Sequence, residues 1–393
     1  MKSLDIAQSS APGWSRPHWR DTLDRWWDRC LTSERFYRWS VSNPLTRWVT
    51  RRRSRQVFDL MAGFVYSQIL LACVRLDIFQ RVRHRPQTLE DLAQHTEVSA
   101  AALQRLLNSA VALRLLAMRG DRRYGLGPLG APIAAFEGIQ AMIEHHATLY
   151  QDLSDPVALL RDKLPEAQMD GYWPYAQRHD ASSGLTSTSE TFSRYSALMS
   201  ASQPFVVDEI LAAYSFHEHH RVLDVGGGQG TFVSRLARHA PHLHLHLFDL
   251  PPVAQLARQN IQRQGLSERV QATGGSFLTD ELPRGADLVT LIRIAHDHPD
   301  QDVLTLLTAI HRALPPGGTL LLAEPMAHEG HQQPQGDAYF HFYLLAMGSG
   351  RLRTPHELGA LMQRAGFCLI ESVPTQIPLH AQILVGRKSQ CLP

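Results

Sequence analysis

From residue 221 onward, short apolar runs alternate with longer stretches in which apolar side chains recur every third or fourth position. Runs of about four to eight apolar residues have the length of buried strands, and a three-to-four period is that of helices packed on one side. The pattern predicts strands near 221–225, 243–248, 269–273, 286–292, 318–323, 367–373 and 380–386. Helices are predicted near 230–240, 252–264, 301–314, 335–347 and 355–365. Alternation of this kind gives an α/β domain: a mostly parallel sheet with helices on both faces. Ligands of such sheets lie beyond the carboxyl ends of the strands. The residues just after each strand are therefore the ones to inspect.

Ahead of this domain the period is helical. Apolar positions recur through 57–84, and the uncharged apolar stretch 60–74 is shorter than the roughly 20 residues of a spanning helix, so it reads as a buried helix. Thr88 caps a helix LEDLAQH, Ser99 caps a second, and two β-like pieces, 116–118 and 124–126, flank Gly120-Asp121. Helix, helix, hairpin is a winged-helix pattern. Its second helix shows mainly Ala, Leu and Val, with Arg105 and Arg114 as its cations. A helix that enters a DNA groove needs several base- and phosphate-reading residues. The winged helix is therefore read as a packing, dimerising element, and no nucleic acid is expected.

Residues 133–205 read as helical and irregular, with a small, polar loop or hinge at 181–189. Segments 142–146, 172–175 and 192–199 either line a pocket or belong to the core. The division expected is an arm at 1–56, a mostly α winged-helix dimerisation and substrate-capping domain at 57–205, and the sheet domain at 206–393.

The arm stands apart in composition. Trp14, Trp19, Trp26, Trp27, Trp39 and Trp48 fall in it, interleaved with arginines, and only Trp173 lies elsewhere. Trp favours the membrane–water interface, and Arg is drawn to anionic headgroups. The arm is read either as a peripheral membrane contact or docking face for a membrane-borne substrate, or as an arm whose tryptophans pack on the body or on a second subunit. At 393 residues the chain exceeds one compact core of usual size, and its net charge of +2 implies no general attraction to polyanions. The opening MKSLDIAQSSAPGW lacks the apolar core of a secretory signal, and none of the four cysteines has metal-ligand spacing. A reduced, cytoplasmic setting is expected, with a peripheral place on the inner or photosynthetic membrane if the arm contacts lipid.

The strand ends carry the chemistry. Residues 221–230, RVLDVGGGQG, form strand, glycine turn and helix start, with Asp224, Gly226 and Gly228 at the turn. Asp249 lies about 20 residues past the glycines, where an acid can hold both hydroxyls of a ribose. Gly274 to Phe277 follow the third strand, Arg293 to His298 the fourth, and Glu324 the fifth. The glycines lack the G-x-G-x-x-G spacing of nicotinamide sites, and no second half repeats the pattern. His217, His219 and His220, and His242, His244 and His246, cluster without an acid or cysteine to complete a zinc set, so no metal is expected.

This ordered set resembles the S-adenosylmethionine (SAM)-dependent O-methyltransferases with an N-terminal winged-helix dimerisation domain. The likeness runs over about 57–386 through VLDVGGGQG, FDLPPV, GGSFLTDELPRGADLVTLIRIAHDHPD, LPPGGTLLLAEPM and GSGRLRTPHELGALMQRAGF. It implies a Rossmann-like seven-stranded domain, SAM as cofactor and a homodimer formed by the N-terminal domain. It puts Asp224 and Gly226 near the methionine part, Asp249 at the ribose, and Ser276 and Phe277 beside the adenine. Gly228, Leu250 and Arg293 complete the cofactor set. His296 is the implied general base. Glu324 is placed to fix its tautomer, and Asp297 either caps the following helix or braces the base. Two positions depart from the family: Ser276 where an Asp is common, and Leu352 where many plant members have a second acid.

The Trp/Arg arm with NPLTRWVTRRRSRQVFDLMAGFVYSQILLACV, IAHDHPD and FHFYLLAMGSGRLRTP narrow the likeness to the bacterial carotenoid O-methyltransferases of the spheroidene branch. Those enzymes methylate the tertiary 1-hydroxyl of acyclic carotenoids such as demethylspheroidene and hydroxyneurosporene. Other acceptors of the same architecture, a phenol, a polyketide or a tetrapyrrole, stay open at this point, as does a DNA-binding regulator with the cofactor as effector.

Overall fold

A computed structural model of the chain describes residues 18–164, 169, 203–329, 335–379 and 381–389. The segments 172–175, 181–189 and 192–199 lie outside the described residues, as do Trp14, Trp173 and the side chain of Trp19. The chain forms two compact units, Met1–Leu70 and Leu71–Pro393.

The first unit is helical. It holds α1 (His18–Leu31), α2 (Glu34–Ser42) and the greater part of α3 (Arg47–Arg75). Ser33 caps α2 by accepting the amide of Phe36. Trp27 packs edge-on against Phe36, and Phe36 lies 5.7 Å from Trp39, so an aromatic ladder links α1 and α2. The ladder stays open to solvent: Trp26 is 58% exposed and Trp39 52%. α3 departs from the sequence expectation. It is 29 residues long, by length and composition enough to cross a membrane, and only 11% of its apolar window is buried. Leu60 is 80% exposed and Phe64 72%. Periodicity marks these positions as apolar; it does not say which surface covers them.

In the second unit α4 (Ile78–Arg83) leads to the winged helix: α5 (Leu89–Thr96), α6 (Ala100–Ala112), β1 (Leu116–Met118) and β2 (Tyr124–Leu126). Thr88 and Asp91 form a reciprocal capping box on α5, and Ser99 caps α6. Leu103, Leu107 and Ala110 turn the apolar side of α6 inward. The hairpin pairs Leu116 with Leu126 around a 3-10 turn at Gly120–Arg122. Then come α7 (Gly130–Ala135), α8 (Glu137–Asp152), α9 (Pro156–Leu160) and helical residues 203–213, here α10.

The sheet domain follows as β3 (Arg221–Val225), α11 (Thr231–His239), β4 (His244–Asp249), α12 (Pro251–Arg263), β5 (Val270–Gly274) and β6 (Leu288–Ile292). It continues with α13 (Asp300–Ala313), β7 (Thr319–Glu324), α14 (Gln335–Ala346), α15 (Pro355–Arg364), β8 (Phe367–Val373) and β9 (Gln382–Lys388). Its seven strands lie in the order β5-β4-β3-β6-β7-β9-β8. The strands are parallel except β9, which runs antiparallel between β7 and β8. Phe232, Val233 and Leu236 of α11, with Ala257 and Ile261 of α12, cover one face; Leu306 and Ile310 of α13, with Leu358 and Leu361 of α15, cover the other. Each such Leu, Ile or Phe contributes about 1.5–3 kcal/mol by leaving water. Strand order reverses at β3, between β4 and β6, which opens a crevice beyond the carboxyl ends at that point.

Candidate active site

The crevice is floored by the turn after β3. Gly226 and Gly228 have φ of +72° and +59°, a region that side chains disfavour, and a Cβ on Gly226 would run into Ile294. Asp224 precedes them, buried in the strand. Its Oδ1 accepts the hydroxyl of Thr290, at 2.7 Å, while its Oδ2 is buried with no hydrogen-bond partner. Burial pushes this carboxyl up to about 7, with the Thr290 bond holding it back. Thr290 was missed at the sequence level. The signal was there: one hydroxyl in the otherwise apolar run LVTLI, which costs about 1–3 kcal/mol in a buried strand unless it is bonded.

Asp249 ends β4 and binds the turn to the next helix. Its Oδ2 accepts the amide of Gly228 at 2.8 Å, and its Oδ1 accepts that of Leu250 at 2.7 Å. Burial raises it to about 6, and those two amides hold it back. The same residue's carbonyl accepts the amide of Gly275, which brings the loop after β5 alongside. There the amide of Ser276 donates to Asp280, and Ser276 Oγ accepts the amide of Leu278. Phe277 lies edge-on to His298, with ring centres 5.3 Å apart. His298 is itself buried and pushed down to about 4, hence neutral. Asp280 and His298 were not singled out in the sequence.

His296 stands on a one-turn 3-10 helix, Ala295–Asp297, directly after β6. Arg293, with φ +57°, makes the bend into it and donates its amide to Ala323 of β7. Both ring nitrogens of His296 meet a carboxylate. Nδ1 lies 3.3 Å from Glu324 Oε2, and Nε2 lies 3.3 Å from Asp297 Oδ1. Glu324 Oε2 also accepts the backbone amide of His296 at 3.1 Å. All three side chains are almost wholly buried. Burial works to lower the imidazole, but the charges of Asp297 and Glu324 outweigh it and the net direction is up. Asp297 goes up to about 6, through burial first and against the pull of His296 and Arg293. The second acid beside His296 is thus Asp297. Leu352 is buried instead in an apolar cluster with Tyr343 and Leu344.

A wall of neutral aromatic and imidazole groups stands nearby. His145 and His146 of α8 bond the hydroxyls of Tyr343 and Tyr339 of α14 at 3.0 and 2.8 Å, and the two tyrosines stack. Burial pushes His145 down to about 4 and lowers His146 as well. Burial also raises Tyr339, against the pull of the Arg293 charge, which ties this wall to the bend before His296. The clustered histidines of 217–220 and 242–246 have other partners. His219 bonds Asp287 and Tyr214, and His246 bonds Thr273. Among the described residues no group of three or more His, Cys, Asp or Glu is placed to hold a metal ion.

The arrangement offers a glycine turn with an unpartnered buried carboxylate oxygen, an acid at the next strand end, and a buried histidine beyond the third strand of the crevice. The chain matches the O-methyltransferase domain over residues 150–368 and the O-methyltransferase dimerisation domain over residues 58–133. It is 37% identical over 364 residues to the demethylspheroidene O-methyltransferase of Cereibacter sphaeroides, which spans 93% of this chain and 95% of that protein. Identity to the enzyme of that name from Rhodobacter capsulatus is 38%, over 92% of this chain and 88% of that one. Among solved structures, the SAH-bound form of CalO1, a methyltransferase in calicheamicin biosynthesis, matches with a TM-score of 0.70 at 25% identity, over 86% of this chain and 98% of that one.

Proposed function

Since this chain belongs to the O-methyltransferase family, we propose that it moves a methyl group from SAM to the tertiary 1-hydroxyl of acyclic carotenoids, as a homodimer that works from a membrane surface. It is a SAM-dependent O-methyltransferase. The observation that carries the carotenoid reading is the reach of the likeness. It covers 92–93% of the chain, so it must extend into residues 1–57, which neither family domain includes.

The residues present fit the cofactor. The unpartnered Oδ2 of Asp224 is an acceptor waiting for a cationic amine, and the glycine turn leaves room beside it. Asp249 would hold the ribose, since each of its oxygens keeps a lone pair after bonding an amide. Ser276 and Phe277 would flank the adenine, with Gly226, Gly228, Leu250 and Arg293 completing the seat. When bound, SAM supplies an electrophilic methyl group. A cation against Asp224 requires its ionised form. The pH sign follows: affinity is full above about 7 and is lost as pH falls through that value. Calorimetric titration from pH 8 to 5.5 is expected to show SAM binding weakening by up to about tenfold per unit below pH 7. A flat profile would remove Asp224 from the contact.

His296 then takes the proton of the acceptor hydroxyl at Nε2. Glu324 accepts from Nδ1 and holds the tautomer that leaves Nε2 free. Asp297 covers Nε2 here, and the acceptor hydroxyl takes its place. Imidazole, with a pKa of about 6.5, cannot ionise an aliphatic alcohol outright, so proton removal accompanies methyl transfer. The base has to be aimed along the line of transfer, and positioning is what the fold supplies.

Dimerisation accounts for the bare face of α3. Its exposed Phe58, Leu60, Met61 and Phe64 lie in the dimerisation domain, and a second copy covers them. Residues ahead of that domain are available for lipid. Residues 1–57 hold twelve basic and five acidic side chains. Trp26, Trp27, Trp39 and Trp48 are exposed among them. Aromatic groups at headgroup depth, with arginines worth about 1 kcal/mol each near an anionic surface, give a peripheral attachment on the cytoplasmic side of a membrane. The test is incubation with labelled SAM and a hydroxylated acyclic carotenoid in anionic vesicles, followed by mass analysis and sedimentation. A product heavier by one methyl, formed by vesicle-bound enzyme, is expected. Turnover of a soluble phenol in place of the carotenoid would overturn the substrate. Enzyme that stays unbound by vesicles would overturn the membrane contact.

A further inference from the structure

The geometry points to Arg353 as the positioning residue that aims His296, through a clamp on the backbone of the turn that carries it. The inference rests on His296 being the base. Arg353 is fully buried, and the charge it carries is costly to hide unless every donor is used. Nη1 donates to the carbonyl of Ala295 at 2.7 Å, and Nη2 donates to that of His298 at 2.7 Å. Nε donates to Asp300 at 2.8 Å. The carbonyl of His296 itself accepts the amide of Arg351 at 2.9 Å. A Cβ on Gly350, whose φ is +76°, would collide with that carbonyl.

Three carbonyls around the base are thus held by residues 351–353. Apart from this clamp, the turn is held by the amide of His296 on Glu324 and by the burial of Ala295. A single 3-10 turn is marginal alone, and its own amide bonds, Asp297 to Ile294 and His298 to Ala295, measure 3.2 and 3.3 Å. The clamp is anchored on both sides. The carbonyl of Arg353 accepts the amide of Ala327, just beyond Glu324, and Arg351 grips both oxygens of Asp300, sharing Oδ1 with Arg353. The guanidinium therefore fixes the imidazole's origin relative to the carboxylate that fixes its tautomer. It touches neither.

Replacing Arg353 by Met is expected to lower kcat about 100-fold, the scale of a 1 Å misplacement, and Arg353→Lys about tenfold. SAH affinity by calorimetry should remain at the wild-type level, and the acidic limb of the pH–rate profile should move. Asp300→Asn, at a half-exposed surface position, tests the clamp without emptying a buried site. It should give a smaller loss in the same direction. Cofactor affinity falling in step with kcat would mark a merely structural role and overturn the proposal. So would Arg353→Lys and Asp300→Asn enzymes with wild-type kcat and pH profile. His296→Ala separates the two ideas: if that variant is dead and the clamp variants are normal, the clamp fails and the base stands. If His296→Ala is active, the base itself fails.

Discussion

His296→Ala lowers kcat about 10³-fold while the affinity for SAM stays near the wild-type value; single-turnover methylation and calorimetry measure the two. The magnitude is the usual worth of a positioned general base, about 10²–10⁴-fold. The split between rate and binding follows from placement. The imidazole lies between Glu324 and Asp297, whereas the atoms fitted to the cofactor belong to Asp224, Asp249 and the glycine turn. Removal of the ring leaves two buried carboxylates facing a void. Without the His296 charge that lowers it, Asp297 holds a proton more readily, so the residual activity should no longer follow the wild-type pH profile. A parallel loss of rate and cofactor binding would show that the ring supports the crevice instead of doing the chemistry.

Asp249→Ala has the opposite signature. SAM affinity should fall about 10- to 100-fold, the worth of one or two hydrogen bonds to a charged group, while kcat at saturating cofactor changes little. The variant also leaves the amides of Gly228 and Leu250 without their acceptor. A cost of about 1–3 kcal/mol in stability is therefore expected, visible as a lower melting temperature without ligand. Loss of kcat at saturation, with affinity intact, would move Asp249 out of the ribose site.

The sheet domain was legible because its signals are local. An apolar run, a glycine turn and a capped amphipathic helix each occupy about a dozen consecutive residues, and the parallel architecture then puts the site at the strand ends. His296 and Glu324 were named from the family resemblance together with their place after successive strands, β6 and β7, which lie side by side in the sheet. The orientation of Asp297 could not be read in this way. Chain adjacency puts it next to His296, but only the 3-10 turn brings its carboxylate round to Nε2. The role of Arg353 is hidden in the sequence, because its partners Ala295 and His298 lie 58 and 55 positions earlier. For α3 the sequence marked the apolar positions, and Leu60, Met61 and Phe64 are exposed within a single chain where burial was expected. Whether a helix face is buried depends on what lies against it, and a second copy of the chain leaves no trace in the spacing of its own residues.

The antiparallel strand β9 has a consequence for the order in which the active site is completed during synthesis. Glu324 is in register with Gln382, and β7 has β9 as its outer neighbour. When the ribosome has released everything through α14, β7 is still an open edge, with backbone groups turned to water on one side. It gains its last partner only once residues 382–388 have emerged, and β8 waits for the same strand. A nascent chain stalled short of that point would present β7, apolar from Leu320 to Ala323, with an unpaired outer edge, the kind of surface that pairs with another chain. The strand that carries no catalytic group would then decide whether the strand that ends in Glu324 folds or aggregates.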